Sequence, residues 1–132
     1  MKAAAGLGAL EGQKYLNLET YRKSGIGVRT PVWFAAAPDQ AQGPKLYVYT
    51  TAHSGKAKRI RRTGAVKIAP CDSRGNVTGS WIDAHAVIVG AEEFDRGMRL
   101  INRKYRPWKQ AMDLLFRLYP RHQRVMIAIR PV

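Results

Sequence analysis

The sequence is poor in cysteine, in acidic residues and in long hydrophobic runs: it holds one cysteine and nine Asp or Glu residues. The lone Cys71 cannot form an internal disulfide bond, so we expect a protein of the reducing cytoplasm. The longest apolar runs, at residues 32–37 and 86–91, are far shorter than the roughly 20 residues that cross a bilayer. We therefore expect no membrane span, and residues 1–10 hold too short an apolar stretch for a secretory signal.

Histidine is also scarce, which argues against metal chemistry. His53, His85 and His122 lie on different predicted elements, and none is spaced to share a metal ion with another ligand. No G-x-S-x-G motif is present, and the charge of Asp72 beside Cys71 disfavours a reactive thiolate. We expect no metal site, and the sequence assigns no catalytic residue.

Positive charge is abundant: 23 Lys or Arg residues against nine acidic ones give a net charge of +14. Such a charge suits nucleic acid, anionic lipid or an anionic small ligand. One basic cluster, KAKRIRR, occupies residues 56–62, and a looser one over residues 96–124 is typical of the solvated face of a helix. With 132 residues, 45% of them hydrophobic, the chain predicts a single domain over residues 1–132.

Hydrophobic periodicity predicts a mainly β (α+β) fold. Strands are expected at residues 14–22, 26–37, 45–51, 65–69, 77–90 and 124–130. The Lys23-Ser24-Gly25 turn joins the first two strands into a hairpin, with Pro31 at an edge or bulge. Loops are expected at residues 38–44 and, around Cys71, at residues 71–76, with Pro70 ending the fourth strand.

Two helical regions accompany the strands. Ser54 can cap a short helix over residues 55–62 that ends at Gly64. A longer apolar stripe at alternating spacings of three and four residues comprises Met98, Ile101, Tyr105, Trp108, Met112, Leu115 and Tyr119. Pro107 should divide this region into two helices that meet near Arg106, the second ending before Pro120. About six strands with these helices suit a small closed or split barrel.

The segment TTAHSGK, which leaves the third strand and enters the short helix, outlines an anion site. Backbone N–H groups at a helix start attract anions, and hydroxyls of Thr50, Thr51 or Ser54 with the Lys56 ammonium could hold a phosphate. It is not a Walker A loop, which needs glycine in place of Thr50 and Ser or Thr in place of Ala57. An ordinary capped helix with a solvated basic face is the alternative.

Aromatic residues on strands near the basic cluster suggest a second binding mode. Trp33, Tyr47, Tyr49 and Trp81 could stack on the bases of a single strand. However, the sequence has no recognition helix, zinc finger or RNP motif, and aromatic residues at alternate strand positions more often belong to a core or an interface. The sequence therefore disfavours a nucleic-acid partner.

Five motifs in order resemble the pyridoxamine 5′-phosphate oxidase-like split β-barrel family, and especially its deazaflavin-dependent members. They are TYRKSG at residues 20–25, TPVWF at 30–34, SGKAKRIR at 54–61, APCDSRG at 69–75 and RKY at 103–105. The resemblance implies an FMN-binding-type split β-barrel and a homodimer with cofactor sites at the subunit interface. It also implies a flavoprotein oxidoreductase that transfers hydride between coenzyme F-420 or FMN and a small organic substrate.

The resemblance also implies roles for individual residues. It assigns the cofactor ring to Thr30, Pro31, Val32 and Trp33, the ribityl chain or phosphate to Thr50 and Thr51, and the phosphate to Ser54, Lys56 and Arg61. Trp33 could equally belong to the barrel core. No acid or base need be encoded, since the cofactor carries the chemistry; Tyr47, Tyr49 and His85 are candidate proton donors. Cys71 has no derived role.

The identity of the cofactor depends on charge. Coenzyme F-420 carries an acidic tail that FMN lacks, and Lys58, Arg59, Arg61 and Arg62 could attract it, so we favour coenzyme F-420 over FMN. Because the superfamily also includes haem and tetrapyrrole binders, a non-catalytic module for haem or single-stranded nucleic acid is the alternative.

A homodimer is expected on physical grounds as well. Tyr47 and Tyr49 oppose Leu46 and Val48 across one strand, so both strand faces carry apolar surface. A single small barrel encloses only one of these faces, and pairing two copies would bury the other.

Overall fold

The computed structural model describes residues 10, 12–37, 44–106 and 124–132. These residues form one antiparallel sheet with the strand order β2-β1-β5-β6-β7-β4-β3 and two helices. In chain order the elements are β1 (Tyr15–Tyr21), β2 (Gly27–Val32), β3 (Ala35–Ala37), β4 (Lys45–Thr51), α1 (Gly55–Arg62), β5 (Ala65–Cys71), β6 (Ile82–Ile88), α2 (Ala91–Lys104) and β7 (Arg124–Pro131).

The two edge strands, β2 and β3, are consecutive in the chain. Only Trp33 and Phe34 separate them, so the sheet has to curl until its edges almost meet. Phe34 turns into the interior, where it is 2% exposed. The interior is aliphatic and well buried, and its largest members are Leu16, Leu18, Phe34, Leu46, Val48, Ile68, Ile127 and Ile129.

A second apolar layer lies outside the curled sheet, where α2 packs on β3, β4 and β7. Its buried members are Ala35, Tyr47, Ile101, Tyr105, Met126 and Ala128. Gly97 of α2 lets the helix approach β7 closely, because a Cβ there would lie 2.9 Å from Met126. The outward-facing residues of β4 and β7 are therefore partly covered by the chain itself.

Several sequence predictions are confirmed. Strand β4 and helix α1 have the predicted bounds, and the Ser54 hydroxyl caps α1 by accepting the Ala57 N–H at 3.1 Å. The turn between β1 and β2 places Gly25 at φ +90°, in the left-handed region that glycine adopts without strain. Pro31 lies on the edge strand β2, where its missing N–H leaves the sheet intact.

The prediction of one continuous strand over residues 26–37 is wrong. The structure divides it at Trp33 and Phe34 into β2 and β3, which pair with different neighbours. β-branched and aromatic residues run across the break, so local composition gives no sign of it. The described residues consequently hold seven strands, where about six were predicted.

Two other strand boundaries also differ from the prediction. β5 continues through Pro70, which lies opposite Leu16, and ends at Cys71, so Cys71 is not in the turn. The Pro70 carbonyl accepts the Thr78 N–H at 2.9 Å, on the side of β5 away from β1. The nitrogen of Pro70 points to the same side as its carbonyl, so the missing N–H removes no hydrogen bond between β5 and β1. β6 starts at Ile82, not at residue 77, because Val77 forms only an isolated bridge to Cys71.

The predicted loop at residues 38–44, except Pro44, and the second C-terminal helix lie outside the described residues. Within the described ranges, neither helix has the length and apolar character that spanning a membrane requires. α2 ends at Lys104 with Tyr105 as its C-cap, close to the predicted break near Arg106.

A polar cluster fixes the start of α2 on β4. The Lys45 ammonium and the Tyr47 hydroxyl both donate to Glu93 Oε2, each at 2.6 Å. These two bonds hold the pKa of Glu93 below its usual value. Burial and the neighbouring Glu93 raise the pKa of Tyr47 to about 12, so its hydroxyl stays a donor at neutral pH. Glu93 also lies in the first turn of α2, where a negative charge is favourable.

We expect Glu93→Gln to lower the free energy of unfolding by roughly 1 to 3 kcal/mol at pH 7, since two charge-assisted bonds are lost. The carboxylate stabilises the fold above its unfolded pKa of 4.5, and wild type loses this contribution as pH falls through the lower folded pKa. Urea unfolding should therefore show that the difference in free energy of unfolding between wild type and Glu93→Gln, the stability gap, shrinks towards pH 3. Glu92→Gln, an exposed neighbour in the same turn, is the control, and an equal gap at both pH values would contradict the assignment.

Candidate functional site

A cavity of about 250 Å³ lies where β4 passes into α1, beside the crossing between β2 and β3. Its lining combines aromatic, hydroxyl and cationic side chains: Val32, Trp33, Tyr49, Thr50, Thr51, Lys56 and Arg124. Five of the nine residues that the family resemblance implies are thus brought together. Their contact with a cofactor stays a prediction.

The turn into α1 is held by local hydrogen bonds. The Ser54 N–H donates to the Thr51 carbonyl at 3.1 Å, which closes the turn. The Thr50 hydroxyl donates to Ser54 Oγ at 3.1 Å, and the same oxygen caps the helix at Ala57. Ser54 therefore shapes the turn and the helix start, and its oxygen is already engaged within the chain.

Lys56, in the first turn of α1, lines the cavity and is half-buried. Burial lowers the pKa of its ammonium, and the nearby Arg59 guanidinium lowers it further. Among the described residues, no carboxylate lies within 4.0 Å of this ammonium. A partly desolvated cation without an acidic partner is a ready site for an anion.

Two aromatic side chains, Trp33 and Tyr49, form one wall of the cavity. Trp33 lines it and stacks on Tyr105, with ring centroids 4.5 Å apart and planes 7° apart. Trp33 is only half-buried, so it belongs to the cavity wall as well as to the outer core. Tyr49 lines the cavity too, with the Arg124 guanidinium 5.9 Å from its ring centroid.

The remaining predicted ligands lie outside this lining. Thr30 and Pro31 are on β2, opposite Leu18 and Asn17 of β1. Arg61 is exposed on α1 and donates to the Ala52 carbonyl at 2.9 Å, which ties the helix to the preceding turn.

The three candidate proton donors also separate. Tyr49 lines the cavity, whereas Tyr47 is buried beneath α2 and donates to Glu93. His85 is on β6 and lines a different cavity of about 320 Å³, together with Lys45 and Glu93.

Arg124 is the lining residue that sequence reasoning missed. It begins β7 and lies directly opposite Thr51 of β4 in the sheet register. Its position at the cavity depends on that long-range pairing, so no local motif predicts it. The cavity lining that the structure describes contains Lys56 and Arg124 as cations and no acidic residue.

The chemistry of this lining suits a ligand with a planar ring and an anionic group. In the described ranges, no group of three or more His, Cys, Asp or Glu residues is placed to hold a metal ion. Burial, with Asp72 nearby, raises the pKa of Cys71, which therefore remains a thiol.

Comparison with solved structures shows the fold, while no family model and no curated protein matches the sequence. A candidate pyridoxamine 5′-phosphate oxidase from Listeria innocua is 16% identical, with a TM-score of 0.63 over 99% of this chain and 94% of its own. HutZ, the haem storage protein from Vibrio cholerae, is 14% identical, with a TM-score of 0.65 over 92% and 84%.

An F-420 reductase is 21% identical, with a TM-score of 0.56 over 96% of this chain and 92% of its own. These identities are low, and the coverage of both chains is nearly complete. The predicted architecture is thereby confirmed: the chain has the split β-barrel fold of the pyridoxamine 5′-phosphate oxidase-like proteins.

Proposed function

We propose that the chain is an oxidoreductase that binds coenzyme F-420, or alternatively FMN, and transfers hydride between this cofactor and a small organic substrate. One observation carries the proposal: a single cavity joins an aromatic wall at Trp33 to a hydroxyl and cationic end at Thr50, Thr51 and Lys56. Such a combination fits a planar ring with a phosphate. An F-420 reductase with the same fold supports it.

The described side chains fit the parts of such a cofactor. Val32 and Trp33 would contact the ring, because they form the apolar side of the cavity. Thr50, Thr51 and Lys56 would hold the phosphate at the start of α1, whose free N–H groups favour an anion. Ser54 would act by capping α1 and so fixing its direction, since its oxygen is engaged by Thr50 and Ala57.

The outer surface of α1 favours coenzyme F-420 over FMN. Lys58, Arg61 and Arg62 are exposed on the helix that carries Lys56, and burial, together with the nearby Arg22, lowers the pKa of the Arg59 guanidinium. Arg59 follows Lys56 by about one turn on the same side of α1, whereas Lys58, Arg61 and Arg62 lie on its opposite side. An acidic tail that leaves the cavity would be attracted by this positive charge around α1, whereas FMN carries no such tail.

The protein's own residues would bind, orient and exclude water. When bound, the cofactor would supply a ring that carries hydride. Trp33 would limit how the ring lies, and Arg124 would add a second positive charge to the cavity. Tyr49 is the candidate proton donor that lines the cavity, and its hydroxyl would deliver the proton that completes a reduction.

One chain encloses only part of a ligand of this size. The cavity of about 250 Å³ is smaller than the roughly 300 to 1,000 Å³ of sites that bury a whole small molecule. A second copy that covers its open side would complete it, so we propose a homodimer with shared sites. We also propose the cytoplasm as the compartment, where Cys71 would stay reduced.

Haem is the second candidate ligand, because HutZ has the same fold. Haem iron is held by axial histidine, cysteine thiolate, methionine or tyrosine ligands. Of these residue types the described cavity lining contains one, Tyr49, and no His, Cys or Met. The hydroxyl and cationic end at Thr50, Thr51 and Lys56 supports the flavin-type cofactor, and titration with haemin tests the alternative.

Titration of the purified protein with coenzyme F-420, FMN and haemin, followed by absorbance and fluorescence, tests the proposal. We expect coenzyme F-420 to bind most tightly and to stay bound near physiological salt. Single-stranded DNA, if bound at low salt, should be released there, because backbone contacts weaken steeply with ionic strength. The oxidoreductase proposal would be overturned if the protein bound haemin tightly but neither coenzyme F-420 nor FMN. DNA binding that resists salt would also overturn it.

Lys56→Ala should weaken cofactor binding by roughly 10- to 100-fold, the effect of one charge-assisted phosphate contact. Thermal stability should be nearly unchanged, since this half-buried ammonium pairs with no carboxylate among the described residues. Lys58→Ala, exposed on the same helix, is the control for total charge. Unchanged affinity in a folded Lys56→Ala protein would remove Lys56 from the site.

Sedimentation velocity at micromolar concentration tests the homodimer. We expect twice the chain mass of 14.8 kDa, because isologous pairing would cover the open side of the cavity. A monomer that still binds the cofactor with full affinity would contradict the shared site.

A further inference from the structure

Trp33 lies at a point of the fold where no strand holds the backbone. β2 ends at Val32 and β3 begins at Ala35, so Trp33 and Phe34 form the crossing between the two sheet edges. Phe34 is anchored by burial in the interior, but the indole of Trp33 is only half-buried. Its orientation therefore depends on contacts outside the sheet.

The hydroxyl of one tyrosine, Tyr105, holds the backbone next to Trp33. Tyr105 Oη lies 3.0 Å from the Phe34 nitrogen, whose N–H it accepts. The same hydroxyl lies 2.9 Å from the Phe34 carbonyl and 2.7 Å from the Lys14 carbonyl, which share its single proton. Tyr105 is 6% exposed, and burial raises the pKa of its phenol, so the proton needed for these bonds is retained.

The Tyr105 ring also supports Trp33 directly. The two rings are nearly parallel at a centroid distance of 4.5 Å, so Tyr105 covers one face of the indole. Trp33 also lines the cavity, whereas Tyr105 is not among the lining residues. Tyr105 is itself the C-cap of α2, held by its N–H bond to the Ile101 carbonyl at 3.0 Å.

We propose that Tyr105 is a positioning residue for ligand binding: its hydroxyl fixes the backbone next to Trp33, and its ring fixes the indole that forms the cavity wall. Tyr105 acts through Trp33, because one face of the indole lies against Tyr105 and Trp33 is the member of the stacked pair that lines the cavity. The effect on cofactor affinity rests on the proposed function. The effect on Trp33 itself does not.

The first experiment tests the positioning without any ligand. With Trp81→Phe and Trp108→Phe, Trp33 is the one tryptophan left of three. Acrylamide quenching of its fluorescence should rise with Tyr105→Leu, which removes ring and hydroxyl, and less with Tyr105→Phe, which keeps the ring. Phe94→Leu, at the other end of α2 in the same core, should leave quenching unchanged. Equal quenching in all variants would overturn the proposal.

The second experiment measures coupling by a double-mutant cycle with FMN and coenzyme F-420 as probes. Tyr105→Leu should weaken binding roughly two- to ten-fold, the range of one aromatic contact, and should have no effect in a Trp33→Leu background. The same loss in both backgrounds would show that Tyr105 acts elsewhere. Should Tyr105→Leu fail to fold, the cycle with Tyr105→Phe tests the hydroxyl alone, and we expect a smaller loss that again disappears in the Trp33→Leu background. If wild type binds neither probe, the proposed function fails, while the quenching result still decides the role of Tyr105.

Discussion

Two consecutive strands at opposite edges of one sheet impose the constraint on which the rest of this structure depends. The chain has two residues, Trp33 and Phe34, in which to pass from β2 to β3. At such a crossing neither neighbouring strand can pair the backbone, and buried unpaired N–H and C=O groups are costly. The Tyr105 hydroxyl bonds both groups of Phe34. Barrel closure and the aromatic cavity wall are thus parts of one arrangement.

Elements with strong local signals were predictable from the sequence. Alternation predicted β4, and the Ser54 cap with Gly64 after the last turn predicted α1, both with the observed bounds. The break between β2 and β3 was not predictable, because closure of the whole sheet sets it and the residues there favour strand throughout. Pro70 misled the prediction for a related reason: a proline interrupts a ladder only on the side its N–H would face.

The candidate site shows the same division between local and long-range information. Thr50, Thr51 and Lys56 belong to one segment, so their meeting at a cavity follows from a strand that runs into a helix. Arg124 reaches them only because β7 pairs with β4 in one register. Arg61 is engaged by a backbone carbonyl, a contact that residue type alone does not reveal.

The pairing of β4 with β7 has a consequence for folding kinetics. These strands come from distant parts of the chain, and contacts between such parts form slowly because a long loop must close first. The hairpin of β1 and β2 and the helix α1 are local and can form early. The part of the lining that one chain supplies requires Arg124 to pair opposite Thr51, a non-local contact of the kind expected to form late. A ligand that binds there would stabilise the closed barrel by mass action, which would link occupancy of the site to persistence of the fold.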